Sequence, residues 1–270
     1  VFTPEFTIKT INMEPNTTFD FTISAAGNYT IDWGDGIIEN IAKDTVEYET
    51  ISHTYTDGGV YTIRMAGDAT DYDAYSAAIQ FRDNEYIAEL GDSLGAIFGG
   101  PARMYMFQDT FSNCKNLTTI PATLFDGVVG MASQLFKYTF NNCVNLKEIP
   151  DGLFDGVSGG ADEMFAGTFN NCASLTEIPD KLFEKIDTAS YAMFYSTFSG
   201  CENLTKIPSD LFRNVTGSAQ HLYNQTFSGC TSLTSIPENL FAGVSGSADY
   251  MFGGTFRGCK SLTSIPENLF

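Results

Sequence analysis

The stretch TFNNCASLTEIP, residues 168–179, occurs six times in the chain with small changes, and the spacing of the copies decides which fold is predicted. Every interval between cysteines is 29 residues, and phenylalanine and leucine columns keep the same spacing. A repeat of this length is typical of a solenoid or a similar array, in which each copy buries its apolar residues against the next. The cysteines are Cys114, Cys143, Cys172, Cys201, Cys230 and Cys259.

The first half of each repeat predicts an amphipathic helix. In the third copy the recurring apolar positions have offsets of 0, 3, 4, 7, 8 and 11, which is the pattern of a helical stripe. The residue before each cysteine is always Asn or Gly, and both types accept a left-handed backbone, so we expect the helix to end there. The six positions are Ala161, Met164, Phe165, Thr168, Phe169 and Cys172.

The second half of each repeat predicts a short strand. Leu175 and Ile178 turn inward from the segment SLTEI, and Pro179 then opens a single helical turn. Stacked copies would align these strands in a parallel sheet, with the helices as the opposite wall. We therefore predict an α/β leucine-rich-repeat solenoid, with the sheet on the concave side and short helices on the convex side.

The cysteine column has four possible roles, namely metal ligand, disulfide, nucleophile or core residue. Equivalent side chains in a stack point the same way and do not converge as a disulfide requires. Neither His53 nor His221 has a cysteine at a metal-site spacing. We expect six free thiols packed in one buried column, where cysteine behaves as a small hydrophobic residue.

The repeat does not extend to the start of the chain, and three regions are predicted. Residues 1–78 alternate apolar and polar positions between turn dipeptides, which indicates a small antiparallel β-sandwich with Trp33 in its core. Residues 79–101 are a linker and a degenerate first repeat that caps the array. Residues 102–270 are the repeats themselves.

Two motifs carry a resemblance to known families. IDWGDG at residues 31–36, followed by HTYTDGGVYTI at residues 53–63, resembles the polycystic-kidney-disease (PKD) type of immunoglobulin-like domain. The repeat, with F-x-x-C-x-x-L-x-x-I, resembles the BspA-type leucine-rich repeats of bacterial surface proteins, although its period is longer than the commonest form. The resemblance implies export, exposure at the cell surface and binding without catalysis.

Composition and charge limit the classes of partner. The net charge of −19 argues against nucleic acid and anionic membranes, since both need clustered Lys and Arg. No apolar run has the roughly 20 residues that span a bilayer, so direct membrane insertion is not expected. We expect an extracellular or cell-surface monomer without a cofactor.

Candidate sites are few, and no catalytic residue is predicted. Asp68, Asp71 and Asp73 are weak calcium candidates, with Asp32 or Asp35 as possible neighbours, but the full calcium-loop pattern is missing. A solvated acidic linker is the other interpretation. His53 is expected to be a structural residue of the PKD-like motif, and His221 an exposed one.

The face between the column leucine and isoleucine is the predicted binding face. It would present a protein or glycan ligand with polar side chains only. A solvated surface without a ligand is the other interpretation, and the polar composition favours it slightly. We predict a binding or adhesion protein; the alternative is a structural spacer that holds another module away from the cell, and an enzyme ranks third. The residues are Thr118, Thr119, Lys147, Glu148, Thr176, Glu177, Thr205, Lys206, Thr234 and Ser235.

Overall fold

The structure is a computed structural model that describes residues 5–267 and 269–270. Its elements are β1 (Phe6–Thr10), β2 (Thr17–Ile23), β3 (Ala26–Asp32), β4 (Ile38–Lys43), β5 (Glu49–Tyr55), β6 (Thr62–Asp71), β7 (Ile79–Gln80), β8 (Ile87–Asp92), α1 (Leu94–Phe98), β9 (Gly100–Pro101) and β10 (Val128–Val129). The first eight strands form two antiparallel sheets, ordered β4-β3-β6-β1-β8 and β5-β2-β7.

Alternation along the strands builds the core between the two sheets. In β2 the side chains of Phe19, Phe21 and Ile23 are buried while their neighbours face solvent. Trp33 follows β3 and is fully buried, with its ring 6.4 Å from Phe19 and 6.1 Å from Phe21. The predicted place of Trp33 in the core is confirmed.

Strands β7 and β8 carry the sheets into the repeats. Both lie beyond residue 78, in the segment that the sequence assigned to a linker and a degenerate first repeat. Strand β7 pairs with β2, and β8 pairs with β1. The N–H of Leu90 donates to the carbonyl of Thr119 at 3.1 Å, and the N–H of Thr118 donates to Ala88 at 2.8 Å. The first repeat is therefore hydrogen-bonded directly to the five-stranded sheet.

The predicted α/β leucine-rich-repeat solenoid is wrong. The described structure is nearly all β in its regular elements, with antiparallel sheets at the N-terminal end, and its one helix, α1, has five residues and precedes the repeats. Among the described residues after 101, the only strand is β10, which pairs in parallel with β9 over two residues. In the part of the chain that the structure describes, neither the concave parallel sheet nor the convex helices are present.

Consecutive turns replace the predicted helix. Across residues 161–172 a residue with positive φ recurs at every fourth position: Glu163 at 53°, Gly167 at 62° and Asn171 at 57°. Each such residue ends a turn and interrupts the bonding of a helix, whose N–H groups bond four residues back. Of the ten N–H groups from Glu163 to Cys172, five bond three residues back within their own turn, at 3.1 to 3.3 Å.

The other five N–H groups between Glu163 and Cys172 bond to the next repeat. Phe165 donates to the carbonyl of Met193 at 3.0 Å, Phe169 to Thr197 at 2.9 Å, and Asn171 to Ser199 at 2.7 Å. These bonds between repeats are shorter than the bonds within the turns. Because the buried backbone must find partners, alternate donation within and between repeats satisfies it without a helix or a sheet.

Proline explains why the extended segments form no parallel sheet. Leu175 and Ile178 are buried as predicted, but the segment ends at Pro179, which has no N–H to donate. Contacts between equivalent segments are single hydrogen bonds, such as Thr205 N–H to the carbonyl of Thr176 at 3.3 Å. The predicted helical turn after Pro179 is a hydrogen-bonded turn, in which Leu182 donates to Pro179.

Side chains fix the register of the repeats. Rings of one column, Phe111, Phe140, Phe169, Phe198, Phe227 and Phe256, stack with centroids 5.5 to 5.7 Å apart and planes within 8°. Cys172 is a free, buried thiol, as are the other five cysteines, which confirms the expected column. Its Sγ–H donates to the carbonyl of Phe140 at 3.3 Å, so the cysteine also ties one repeat to the previous one. Thr168 does the same to Phe136 at 2.9 Å.

A substitution at Gly229 tests the left-handed column that ends each turn segment. Gly229 has φ of 75°, and a Cβ built there meets only Gly200 at 3.5 Å, an ordinary contact. Gly229→Asn should leave the free energy of unfolding nearly unchanged, since asparagine fills three equivalent positions at positive φ. Gly229→Val should lower it by about 1 kcal/mol or more, because a β-branched side chain resists this conformation. Urea denaturation measures both, and equal losses would contradict the assignment.

Tyr223 introduces a polar atom into an otherwise apolar column. It replaces phenylalanine in the series Phe107, Phe136, Phe165, Phe194, Tyr223 and Phe252. Among the described residues its hydroxyl is the one buried side-chain oxygen or nitrogen without a hydrogen-bond partner. Burial raises the pKa of Tyr223, so the hydroxyl stays neutral.

Removing this hydroxyl should stabilise the protein. Tyr223→Phe should raise the free energy of unfolding by about 1 kcal/mol, because an unsatisfied buried polar group is costly. Tyr55→Phe is the matched control: Tyr55 is equally buried, but its hydroxyl donates to the carbonyl of Trp33 at 2.8 Å, so this change should destabilise. A loss of stability in Tyr223→Phe would show that the hydroxyl has a partner.

Candidate binding surface

The predicted binding face is present as a set of outward side chains. Residues 147–148, 176–177, 205–206 and 234–235 are exposed between a buried leucine and a buried isoleucine, and Thr118 and Thr119 are half-buried. The structure therefore brings the ten predicted residues to one side of the repeats. Their pattern is regular, with threonine or lysine followed by a small polar or charged residue.

Several polar groups on this face are already engaged within the protein. The Thr205 hydroxyl donates to the carbonyl of Thr176 at 3.4 Å, and the Thr234 hydroxyl donates to Thr205 at 3.2 Å. Lys206 lies 3.8 Å from the carboxylate of Glu177 in an exposed ion pair. Exposed pairs of this kind contribute little energy. No aromatic side chain occupies the ten positions, so the face lacks the anchors that binding surfaces favour.

A second outward surface lies on the turn segments of the repeats. We define the turn face as residues 104–105, 108–109 and 112–113 and their equivalents at 29-residue intervals, most of which are at least partly exposed, although a few, among them Ser112 and Ala192, are buried. Here the copies differ from one another. The column that begins with Tyr105 continues as Gln134, Glu163, Ala192, His221 and Tyr250, all with positive φ.

Three rings gather on the turn face of the last three repeats. The ring centroid of His221 lies 5.3 Å from Tyr250 with the planes 2° apart, and 5.8 Å from Tyr191 with the planes 81° apart. Tyr191 is 45 % exposed and Tyr250 is 70 % exposed. Tyr191, His221 and Tyr250 are called the aromatic cluster below.

Hydrogen bonds position the central ring of the cluster. The amide nitrogen of Asn224, which is buried, donates to Nδ1 of His221 at 2.7 Å, so in the neutral ring Nε2 carries the hydrogen. The backbone N–H of His221 donates to the carbonyl of Asp249 in the next repeat. Gln220 and Asp249 flank the cluster, and Nε2 of Gln220 donates to Oδ2 of Asp249 at 3.4 Å.

Sequence reasoning missed the aromatic cluster because it looked for a site in the recurring positions. His221 was expected to be merely exposed, but it is half-buried between two tyrosines. The available signal was the variation of residue type between copies. A column whose residue type varies does not form part of the repeated core. Tyr191 and Tyr250 lie in two different columns, and only the stacking of the repeats brings them to the same histidine.

The PKD-like motif forms a well-defined polar contact among the sheets. Nε2 of His53 lies 2.7 Å from Oδ2 of Asp35, and the imidazole stacks on the Trp33 ring with the centroids 4.9 Å apart. Partial burial raises the pKa of Asp35, but the hydrogen bond and charge of His53, with the Ile37 N–H, outweigh it and lower that pKa overall. The contact fixes the turn after β3.

The calcium candidates do not form a common site. Asp68 lies within β6 opposite Asn28, Asp71 accepts from the N–H of Tyr72, and Asp73 accepts from the hydroxyl of Ser76. The neighbours considered from sequence are engaged elsewhere, as Asp32 lies 3.4 Å from Arg64. In residues 5–267 and 269–270, no group of three or more His, Cys, Asp or Glu side chains is arranged to hold a metal ion.

Comparison with known proteins assigns no relative to the chain. No family model, no curated protein and no solved structure matches it. Within the described residues there is also no helix of the length and apolarity needed to cross a membrane.

Proposed function

We propose that this protein is a non-enzymatic binding protein of the extracellular space or cell surface, and that the aromatic cluster is where its ligand docks. The observation that carries the proposal is the meeting of Tyr191, His221 and Tyr250 on columns where the repeats differ. Large exposed rings contribute nothing to the core. Tyrosine is also among the residues that dominate binding energy at interfaces.

A rigid backbone under the cluster supports this role. The N–H groups of His221 and Tyr223 are both bonded to carbonyls of the next repeat, at 3.1 and 2.8 Å. A surface held in this way loses little conformational entropy when a ligand binds, and such preorganisation improves affinity. The resemblance to bacterial surface proteins also implies binding and export.

The nucleophile candidates support a role without catalysis. Cys172 is fully buried, and burial raises the pKa of its thiol, so the reactive thiolate is disfavoured. His53 contacts Asp35 as a catalytic histidine would, but its other close neighbours are the rings of Trp33 and Tyr55. A base of this kind needs an adjacent nucleophile.

A structural spacer is the second candidate. One continuous apolar cluster runs from the sheets through every repeat, and it includes Phe6, Phe111 and Leu269. Phe6 and Phe111 contact each other directly across the junction, with ring centroids 6.4 Å apart. An assembly joined in this way would hold a fixed length, which is what a spacer requires.

Array screening with paired variants tests the proposed function. The purified protein should bind at least one spot on combined protein and glycan arrays, and a Tyr191→Ser/Tyr250→Ser variant should lose most of that signal. Both substitutions remove exposed rings, so circular dichroism and thermal unfolding should remain close to those of the unmodified protein.

Tyr75→Ser is the matched control for this screen. Tyr75 is 80 % exposed but lies near the junction, outside the aromatic cluster, so its loss should leave the array signal unchanged. An unmodified protein that binds no spot would favour the spacer. Equal binding by the unmodified protein and the double variant would place the binding site elsewhere.

A further inference from the structure

We propose that the outer edge of strand β4, called the β4 edge below, binds an extended and positively charged segment of another protein. The segment would add to the five-stranded sheet as a further strand. The β4 edge is separate from the aromatic cluster and is a second surface, beyond the proposed function. Three features support it: the position of β4 in the sheet, the direction of its backbone groups, and the carboxylates around it.

Strand β4 directs alternate backbone groups away from the sheet. Among the described strands its one neighbour is β3, and the two strands pair along the whole of β4. The N–H of Trp33 donates to the carbonyl of Ile37 at 3.0 Å, so residue 37 faces β3. Bonding groups alternate in an antiparallel pair, and therefore Ile38, Asn40 and Ala42 direct their N–H and C=O groups outward.

Most of the usual protections of an edge strand are missing from β4. Such strands are commonly blocked by a proline, by a bulge or by an exposed lysine. Strand β4 contains no proline, its register with β3 does not shift, and its one lysine, Lys43, is buried. The Lys43 ammonium donates to the carbonyls of Thr45 and Glu47 at 2.6 and 2.5 Å. The β4 edge is therefore open to pairing with another chain.

Apolar side chains at both ends of β4 add contact area. Ile37 and Ile38 are 53 % and 56 % exposed, and Tyr48, in the loop that follows β4, is 52 % exposed. Large apolar side chains along an open edge favour association with another chain. An added strand would cover Ile38 directly, because the side chains of neighbouring strands pack against each other.

Carboxylates dominate the surroundings of the β4 edge and select a cationic partner. Residues 33–60 contain six Asp or Glu residues and no Arg, and their one Lys is the buried Lys43. Glu39, Glu47 and Glu49 are exposed. Arg64 of β6 lies 3.4 Å from Asp32 on the intervening strand β3, so its charge is paired. A second copy of this chain would bring the same carboxylates to the edge, so charge favours a basic segment over self-association.

Titration with three synthetic peptides tests this inference. The first alternates lysine and valine over about eight residues, a usual strand length. The second has glutamate in place of lysine, and the third is the lysine–valine peptide with every backbone amide methylated. Fluorescence anisotropy at low ionic strength should show binding of the first peptide only, because the second is repelled and the third has no N–H to donate. Hydrogen exchange at the N–H groups of Asn40 and Ala42 should slow when the first peptide binds, which locates the added strand.

Variants of the edge separate strand pairing from charge. Asn40→Pro should weaken binding of the lysine–valine peptide about tenfold, because it removes an N–H that pairs with the added strand. Proline is tolerated where an edge N–H faces solvent, and circular dichroism checks that the variant is folded. Asn40→Ala keeps the N–H and should retain the affinity. Glu47→Gln/Glu49→Gln should weaken binding about fivefold, the loss expected from two exposed charge contacts.

The aromatic cluster supplies an independent control. The Tyr191→Ser/Tyr250→Ser variant leaves the β4 edge intact and should bind the lysine–valine peptide as the unmodified protein does. Failure of the β4 edge and failure of the proposed function are therefore distinguishable. No binding of the lysine–valine peptide, equal binding of its methylated form, or unchanged binding by a folded Asn40→Pro would each overturn the inference. A dimer in sedimentation that Asn40→Pro abolishes would show that a second copy, and not a basic segment, covers the edge.

Discussion

Alternate backbone N–H groups that bond from one repeat to the next are the interaction on which the rest of the structure depends. They require the chain to reverse direction within each turn, which a left-handed residue at every fourth position achieves. Such residues cost roughly 1 to 2 kcal/mol each when they are not glycine. The stack offsets this cost by satisfying the buried backbone and by aligning the two series of aromatic rings that begin at Phe107 and Phe111.

The side-chain columns are consequences of this bonding pattern. Phe140 and Phe169 stack because equivalent residues are held one layer apart, and the same alignment places each cysteine and threonine near a carbonyl of the previous repeat. Cysteine at position 172 is therefore more than a small apolar residue, since its thiol hydrogen has a specific acceptor. The sheets of residues 6–92 continue the alignment, because β8 bonds to the first repeat.

The repeat length, the buried columns and the left-handed Asn or Gly before each cysteine were all predictable from sequence. The helix was not excluded by sequence, because a period of four and the helical period of 3.6 give the same inward offsets over about twelve residues. Of the two further left-handed positions in each turn segment, the first carries no signal, since Glu163 and Ala192 are ordinary helix formers. The second holds glycine in only two of its six copies, Gly167 and Gly254, which is a weak signal. The aromatic cluster was equally hidden, because Tyr191 and Tyr250 meet His221 only once the repeats are stacked.

The alternation of bonds within and between repeats is directly measurable by scalar couplings across hydrogen bonds in a ²H,¹³C,¹⁵N-labelled sample. The account predicts a coupling from the amide nitrogen of Phe169 to the carbonyl carbon of Thr197, and one from Phe165 to Met193. Thr168, in contrast, should couple to the carbonyl of Phe165 in its own turn. Couplings from Phe169 to Phe165, four residues earlier, would show that the segment is a helix and would contradict the account.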